Sequence, residues 1–240
     1  MIGTLFGIGV GPGSPDLLTI RAARVIARVP IVCVPRSAAG SRSYALGVVQ
    51  NLIDPGRQEI VELTFPMSRA AEQAQQAHAD AVARVLSHLV DGRDVAFLSE
   101  GDPLFYSTFI YLSRGLRSVC PAARVEVVPG VSSINAAAAA TGCALAEGGE
   151  TVAIVPALYD TERLRHILTD FDNVVLLKIH AVWERVLDLL EQLGLAAQAI
   201  VVTRAGAPEE TVTWDIRELR GKKLDYFSLV LVKKIAGVQP

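Results

Sequence analysis

One stretch constrains the fold of this chain more than any other. The apolar run Val-Ala-Phe-Leu at 95–98 stops abruptly at the loop Ser-Glu-Gly-Asp-Pro at 99–103. Such a run is typical of a strand buried on both faces in a parallel sheet, and these sheets bind ligands just beyond the carboxyl ends of their strands. Gly101 permits a positive φ, Asp102 offers carboxylate oxygens to a ligand, and the proline fixes the turn before a helix predicted from about Ser107. An ordinary strand-to-helix turn explains the same residues.

Composition excludes several classes of protein. The chain has 240 residues, 51% of them hydrophobic, and a mean hydropathy of +0.37. It can therefore bury one large core or two modest ones, which excludes a disordered chain. Its 23 basic and 25 acidic residues give a net charge of −2. Without a global positive field, nucleic acid and anionic membranes are poor partners, and an anionic ligand must meet a local cluster.

The cysteines and histidines show no metal-binding or disulfide pattern. The three cysteines are far apart and lack Cys-x-x-Cys spacing, and the four histidines share no helix face. This pattern fits a reducing compartment, and we expect no metal. The first residues lack a basic region and a cleavable apolar segment, and no stretch approaches the ~20 apolar residues that span a bilayer. We therefore predict a cytoplasmic protein.

Alternating strands and helices predict two α/β domains, with the active site in the cleft between them. The first, 1–129, is predicted to contain a five-stranded, mainly parallel, doubly wound sheet, with strands near 4–10, 31–34, 59–63, 95–98 and 124–128. The second, 130–240, has predicted strands near 151–155, 173–177, 199–203, 210–214 and 228–232. No helix of crossover length separates the last two strands, so we predict a smaller, mixed sheet there.

The first predicted strand runs into a glycine-rich loop. The sequence Gly-Val-Gly-Pro-Gly-Ser-Pro occupies 9–15, and Ser14 and Pro15 suit the N-cap and first position of a helix. Glycines at a helix amino terminus can also cradle phosphates. The dinucleotide pattern Gly-x-Gly-x-x-Gly is not met, however, because Pro12 and Ser14 stand where its third glycine would be. A phosphate-binding loop is therefore the minority interpretation.

Two further loops carry candidate ligand-binding groups. The loop at 35–42 contains Arg36 and Arg42, which can each hold a carboxylate through two hydrogen bonds, although arginines are also common on surface loops. The loop Pro-Gly-Val-Ser-Ser at 129–133 leads into an alanine-rich helix. Ser132 and Ser133 would cap that helix or present their hydroxyl groups to a ligand.

The motifs at 9–15, 100–107 and 128–133, taken together, resemble those of the tetrapyrrole methylases, which transfer methyl groups from S-adenosylmethionine to corrin and porphyrin precursors. The likeness extends along essentially the full chain. Within the superfamily, the stretches 99–109, 65–67 and 225–229 look most like the precorrin-2 C(20)-methyltransferases of cobalamin biosynthesis. Ser14 is a departure, because the family loop usually carries Asp there.

The resemblance implies a site without a catalytic triad or a metal. It assigns cofactor binding to Pro12, Gly101, Asp102, Phe105, Ser132 and Ser133 of the first half and to Lys178 and Ala205 of the second. The substrate is a polycarboxylate, for which Arg36 and Arg42 are candidate anchors, with Arg21 or Arg69 in reserve. Catalysis would then consist mostly of positioning sulfur, methyl and carbon in line. A homodimer is also implied.

Three alternatives remain open at this point. One is a methylase of the same superfamily that acts on another ring carbon or, as in diphthine synthases, on a modified histidine. Another is an NADP-dependent oxidoreductase, in which Arg36 would receive the 2′-phosphate. The third is a non-catalytic tetrapyrrole-binding protein. The sequence leaves open whether the substrate carries cobalt.

Overall fold

The chain forms two compact units, Met1–Ser132 and Ser133–Pro240. The computed structural model describes residues 2–37, 43–65, 71–158 and 160–234. The division falls three residues after the expected boundary at 129. The three additional residues include Gly130, whose backbone N–H donates a hydrogen bond to Asp102 of the first unit.

The first unit contains a sheet of five parallel strands, as predicted. They are β1 (Thr4–Gly9), β2 (Ile31–Arg36), β3 (Glu59–Thr64), β4 (Val95–Ser99) and β5 (Arg124–Val128), in the order β3-β2-β4-β1-β5. Every residue of β4 is buried. Its side chains alternate between two hydrophobic clusters, with Val95 and Phe97 in one and Ala96 and Leu98 in the other. The predicted burial of this strand on both faces is therefore confirmed.

Helices cover both faces of this sheet. In the described part of the unit they are α1 (Ile20–Arg28), α2 (Tyr44–Val49), α3 (Ala71–Val90) and α4 (Phe109–Val119). Buried residues of α3 and α4 join the cluster that contains Phe97, and those of α1 and α2 join the cluster that contains Leu98. Crossover helices on both faces of a parallel sheet make a doubly wound fold.

The first helix begins one turn later than the Ser14 signal predicts. The Ser14 hydroxyl accepts a hydrogen bond from Asp16 N and caps only a short 3-10 helix, Pro15–Leu17. The α-helix proper is capped by Thr19, whose side-chain oxygen accepts from Ala22 N at 3.1 Å. Because Ser14 and Thr19 each act as an N-cap, this stretch forms two successive helical segments.

The second unit contains a mixed sheet, also as predicted. Its elements are α5 (Ser133–Thr141), β6 (Val152–Pro156), α6 (Thr161–Asp170), β7 (Asn173–Leu177), α7 (Trp183–Gln192), β8 (Ala199–Thr203), β9 (Thr211–Thr213) and β10 (Ser228–Lys233). The strand order is β6-β7-β10-β8-β9, and β10 runs antiparallel to both neighbours. Within the described residues 214–227, which connect β9 to β10, the structure has only a short 3-10 helix, Ile216–Leu219.

The two faces of the second sheet are covered separately. Buried residues of α6 and α7 pack on one face, and α5 packs on the other. The small side chains of Ala136 and Ala137 lie in a cluster with Val175, Ile200 and Leu229. In the part of the chain that is described, no helix is both long and apolar enough to cross a bilayer.

Candidate functional site

Three loops meet at the carboxyl edge of the first sheet, where β4, β1 and β5 end side by side. We call the residues 9–14, 99–103 and 129–132 the strand-end junction. Val10 N donates to Ser99 O at 2.9 Å, and Gly101 N donates to Gly11 O at 2.8 Å. The loop after β4 is thus held against the loop after β1 by backbone hydrogen bonds.

Three glycines make the close packing of the junction possible. A Cβ atom placed on Gly9 would lie 2.6 Å from Gly101 O, and one on Gly130 would also collide with that oxygen. Gly101 itself has a φ of +63°, in the left-handed region that favours glycine. The backbones therefore approach more closely than any side chain permits.

Asp102 connects two of these loops. Its Oδ1 accepts a hydrogen bond from Leu104 N at 2.8 Å, and its Oδ2 accepts one from Gly130 N at 3.1 Å. The sequence interpretation gave these oxygens to ligand hydroxyl groups. In the structure each oxygen already binds a backbone N–H group, so Asp102 shapes the junction first of all.

The loop after Asp102 presents apolar side chains to solvent. Leu104, Phe105 and Tyr106 are all exposed, and the Phe105 and Tyr106 rings meet edge to face at 4.8 Å. Tyr106 has a φ of 52°, which is uncommon for a bulky residue. Strained backbone of this kind clusters at ligand-binding sites. Phe105, a predicted cofactor-binding residue, therefore lies on an exposed aromatic segment two residues beyond the junction.

Glu100 is a junction residue to which sequence reasoning assigned no separate role. Glu100 is an exposed residue, yet desolvation of its carboxyl group raises the pKa to about 7 from its usual value of 4.5. The sequence signal that pointed to Glu100 was its position in the loop motif, between Ser99 and Gly101. The pKa depends on the folded surroundings, which the motif does not reveal.

The arginines that were predicted as substrate anchors are not residues of the strand-end junction. Arg36 is the last residue of β2 and forms an ion pair with Glu62 of β3; their side chains are 16% and 48% exposed. Arg36 Nε is buried and has no hydrogen-bond partner within the described residues. Arg42 and Arg69 lie outside the described residues. Arg21 forms a largely exposed pair with Glu126 at 2.9 Å.

The structure brings together only part of the predicted cofactor set within the first unit. Pro12, Gly101, Asp102 and Ser132 belong to the junction, and the Ser132 Cα lies 3.8 Å from where a Cβ of Gly101 would stand. Ser133 is the first residue of α5 and belongs to the second unit.

Lys178 and Ala205 lie at one edge of the second sheet. They follow β7 and β8, which both run antiparallel to β10, so their carboxyl ends lie on the same side. Lys178 and Arg204 both have left-handed backbone, with φ values of 58° and 53°. Arg204 pairs with Asp225 at 2.9 Å, while Ala205 is buried. This edge therefore carries strained backbone like that of the loop after β4.

Comparison with known proteins places the chain in context. Residues 4–220 match the family described as Tetrapyrrole (Corrin/Porphyrin) Methylases. The chain is 34% identical over 238 residues to the cobalamin biosynthesis protein CobIJ of Mycobacterium tuberculosis, a match that covers 96% of this chain and 46% of that protein. The chain thus spans about half the length of this relative. It is 32% identical over 236 residues to the cobalt-precorrin-2 C(20)-methyltransferase of Salmonella typhimurium, with 98% of both proteins covered.

A solved structure shares the fold. The uroporphyrin-III C-methyl transferase of Thermus thermophilus, complexed with S-adenosyl homocysteine, aligns with a TM-score of 0.66 and 21% identity. The alignment covers 97% of this chain and 98% of that one. The two-unit architecture described above is therefore an architecture that this methyltransferase also has.

Proposed function

The chain belongs to the tetrapyrrole (corrin/porphyrin) methylase family, and on that premise we propose that it methylates precorrin-2, or its cobalt form, at C-20 in cobalamin biosynthesis. The methyl donor is S-adenosylmethionine. The observation that carries the proposal is the glycine-walled junction at 9–14, 99–103 and 129–132, in a chain that aligns end to end with a C(20)-methyltransferase.

The junction suits a cofactor that must be held closely by backbone. The left-handed backbone of Gly101 and the absence of side chains at Gly9 and Gly130 let the three loops pack backbone against backbone. We assign cofactor contacts to Pro12, Gly101, Asp102 and Ser132 of the junction and to Phe105 just beyond it. Ser133, Lys178 and Ala205 are the proposed contribution of the second unit.

The chemistry needs positioning more than reactive side chains. The cofactor supplies a methyl group on a sulfonium, and a reduced tetrapyrrole supplies an electron-rich carbon. The chain must hold the two in line and exclude water, and orientation alone can lower the barrier by ~7–11 kcal/mol in well-oriented systems. The rigid hydrogen bonding of Val10 and Gly101 across the junction fits that requirement.

Substrate carboxylates require cationic anchors, and we propose Arg36 and Arg42 for this role. Arg36 pairs with the Glu62 carboxylate, the kind of group that the substrate would present, which supports this assignment. We also propose that the enzyme works as a homodimer in the cytoplasm; the free thiols of Cys33, Cys120 and Cys143 are consistent with a reducing compartment.

One experiment tests the activity directly. Purified protein is incubated under anaerobic conditions with precorrin-2, or cobalt-precorrin-2, and S-adenosylmethionine carrying an isotopically labelled methyl group. We expect the product to gain one methyl, located at C-20 by NMR. A label at another ring carbon would mean that the enzyme methylates that carbon instead of C-20. If no methyl group is transferred and NADPH binds tightly in a fluorescence titration, an oxidoreductase is favoured.

A further inference from the structure

The junction contains two titratable side chains, Glu100 and Asp102, and of these only Asp102 is held by hydrogen bonds to the described residues. Asp102 accepts hydrogen bonds from two backbone N–H groups. Glu100 forms no hydrogen bond or ion pair with residues 2–37, 43–65, 71–158 or 160–234. Its carboxyl group is therefore available to a ligand.

The backbone on both sides of Glu100 is fixed. The carbonyl of Ser99 accepts a hydrogen bond from Val10 N at 2.9 Å, and Gly101 exchanges two hydrogen bonds with Gly11, of 2.8 and 3.4 Å. Ser99 itself is buried. The Glu100 side chain therefore projects from a rigid base at the edge where ligands of parallel sheets bind.

The proposed methyl transfer releases a proton that needs an acceptor. The bond from the methyl carbon to sulfur breaks, and its electron pair stays on sulfur, which becomes a neutral thioether. The tetrapyrrole carbon supplies the electron pair of the new carbon–carbon bond. The macrocycle then carries the positive charge and must lose one proton to restore its neutral conjugated system.

We propose that the Glu100 carboxylate accepts this proton and is a catalytic residue of the methyl transfer. The inference rests on the proposed function, because it presumes a tetrapyrrole bound at the junction. Glu100 is the sole junction side chain that combines an available carboxylate with a fixed backbone position. The product of the step is a neutral Glu100 carboxylic acid, which returns its proton to solvent.

The surroundings of Glu100 suit a base that works near neutral pH. Desolvation alone raises its pKa to about 7, and a general base is most effective when its pKa lies near the operating pH. The facing loops, 10–14 and 129–132, contain no titratable side chain. Asp102 in the same loop is bound by Leu104 N and Gly130 N, and the cation at the end of neighbouring β2, Arg36, is paired with Glu62.

The test uses Glu100→Gln, which preserves size but cannot take up the proton. Glu72→Gln is the matched control, because Glu72 lies exposed in the first turn of α3. We expect Glu100→Gln to lower kcat ~10²–10⁴-fold, with KM and the calorimetric affinity for S-adenosylhomocysteine changed less than about threefold. The wild-type kcat should rise with pH through about 7, and this rise should be absent in the variant.

A second readout does not depend on turnover. In protein with labelled glutamate carboxyl carbons, one NMR resonance should titrate near 7 and be missing from Glu100→Gln. The proposal is overturned if the active wild type and Glu100→Gln have equal kcat values, or if only KM changes, or if no such resonance exists. If the wild type transfers no methyl group although the control variants fold, the proposed function itself is overturned.

Discussion

Asp102 and Gly130 are joined by a hydrogen bond of 3.1 Å, in which the Gly130 backbone N–H donates to Asp102 Oδ2. Asp102 follows β4 and Gly130 follows β5, and β1 lies between these two strands in the sheet. The bond therefore spans the end of the intervening strand β1 and holds the loops after β4 and β5 in register. This makes Asp102 a positioning residue for the whole site.

Asp102→Ala should weaken both folding and cofactor binding. The substitution removes an exposed hydrogen bond from Leu104 N and a half-buried one from Gly130 N, which should cost about 0.5–1.5 kcal/mol. Asp54→Ala is the control, because Asp54 accepts a hydrogen bond from Gly56 N in an exposed turn. Urea unfolding and calorimetric titration with S-adenosylhomocysteine measure the two effects. If Asp102→Ala bound S-adenosylhomocysteine as tightly as the wild type, the positioning role would be wrong.

Gly130→Ala should be more damaging than its small size suggests. The added Cβ would collide with the carbonyl oxygen of Gly101, which is backbone and cannot rotate away. Forcing the loops apart should cost about 1–3 kcal/mol of unfolding free energy and lower the affinity for S-adenosylhomocysteine.

Gly47→Ala provides the matched control for that substitution. Gly47 lies in α2, and a Cβ there would meet nothing within 4 Å. Alanine should stabilise the helix by about 0.5–1 kcal/mol relative to glycine and leave cofactor binding unchanged. Equal effects of the two substitutions in urea unfolding would show that the junction can relax around a side chain.

The central strand β4 was predictable because the cause of its sequence pattern is local. A residue run buried on both faces must be apolar throughout, so β4 has a direct signal at 95–98. The mixed second sheet was predicted from the short connection between the last two strands, but these strands are not neighbours; its antiparallel pairs are β10 with β7, β10 with β8, and β8 with β9. The junction itself was located by its glycines, since close backbone approach excludes other residues.

Pairings between distant residues could not be predicted in the same way. The ion pair of Arg36 with Glu62 depends on the register of β2 against β3, which places Val34 opposite Glu62. The interpretation of Arg36 as a free loop residue missed it. The start of α1 was predicted too early for a different reason, because Ser14 and Thr19 are both valid caps and only the structure shows which segment each begins.

Glu100→Gln should change how stability depends on pH. The folded-state pKa of Glu100, about 7, lies above its ordinary value of 4.5, so the folded state binds more protons than the unfolded state between those values. Stability from this group is therefore present at low pH and is lost as pH rises through that window. Because the side chain is partly exposed, the loss should be only on the order of 1 kcal/mol after allowance for solvent screening.

The measurement is the unfolding free energy of both proteins across this range of pH. The difference between Glu100→Gln and the wild type should grow in favour of the variant as pH rises, and level off above about 8. Glu72→Gln should follow the wild type throughout, because Glu72 is exposed on α3. A constant difference between Glu100→Gln and wild type would mean that burial does not raise the pKa of Glu100.

Substitutions of Arg36 and of Glu62 should change the affinity for the tetrapyrrole in opposite directions. If Arg36 anchors a substrate carboxylate, Arg36→Gln removes a charge-assisted hydrogen bond worth about 1.5–3 kcal/mol, which corresponds to a roughly 10- to 150-fold loss of affinity. Glu62→Gln removes the carboxylate that competes for the same guanidinium, so it should strengthen binding. Arg93→Gln, at an exposed pair with Asp91, is the control. Tetrapyrrole titrations monitored by absorbance measure all three, and an unchanged affinity in Arg36→Gln would exclude Arg36 as an anchor.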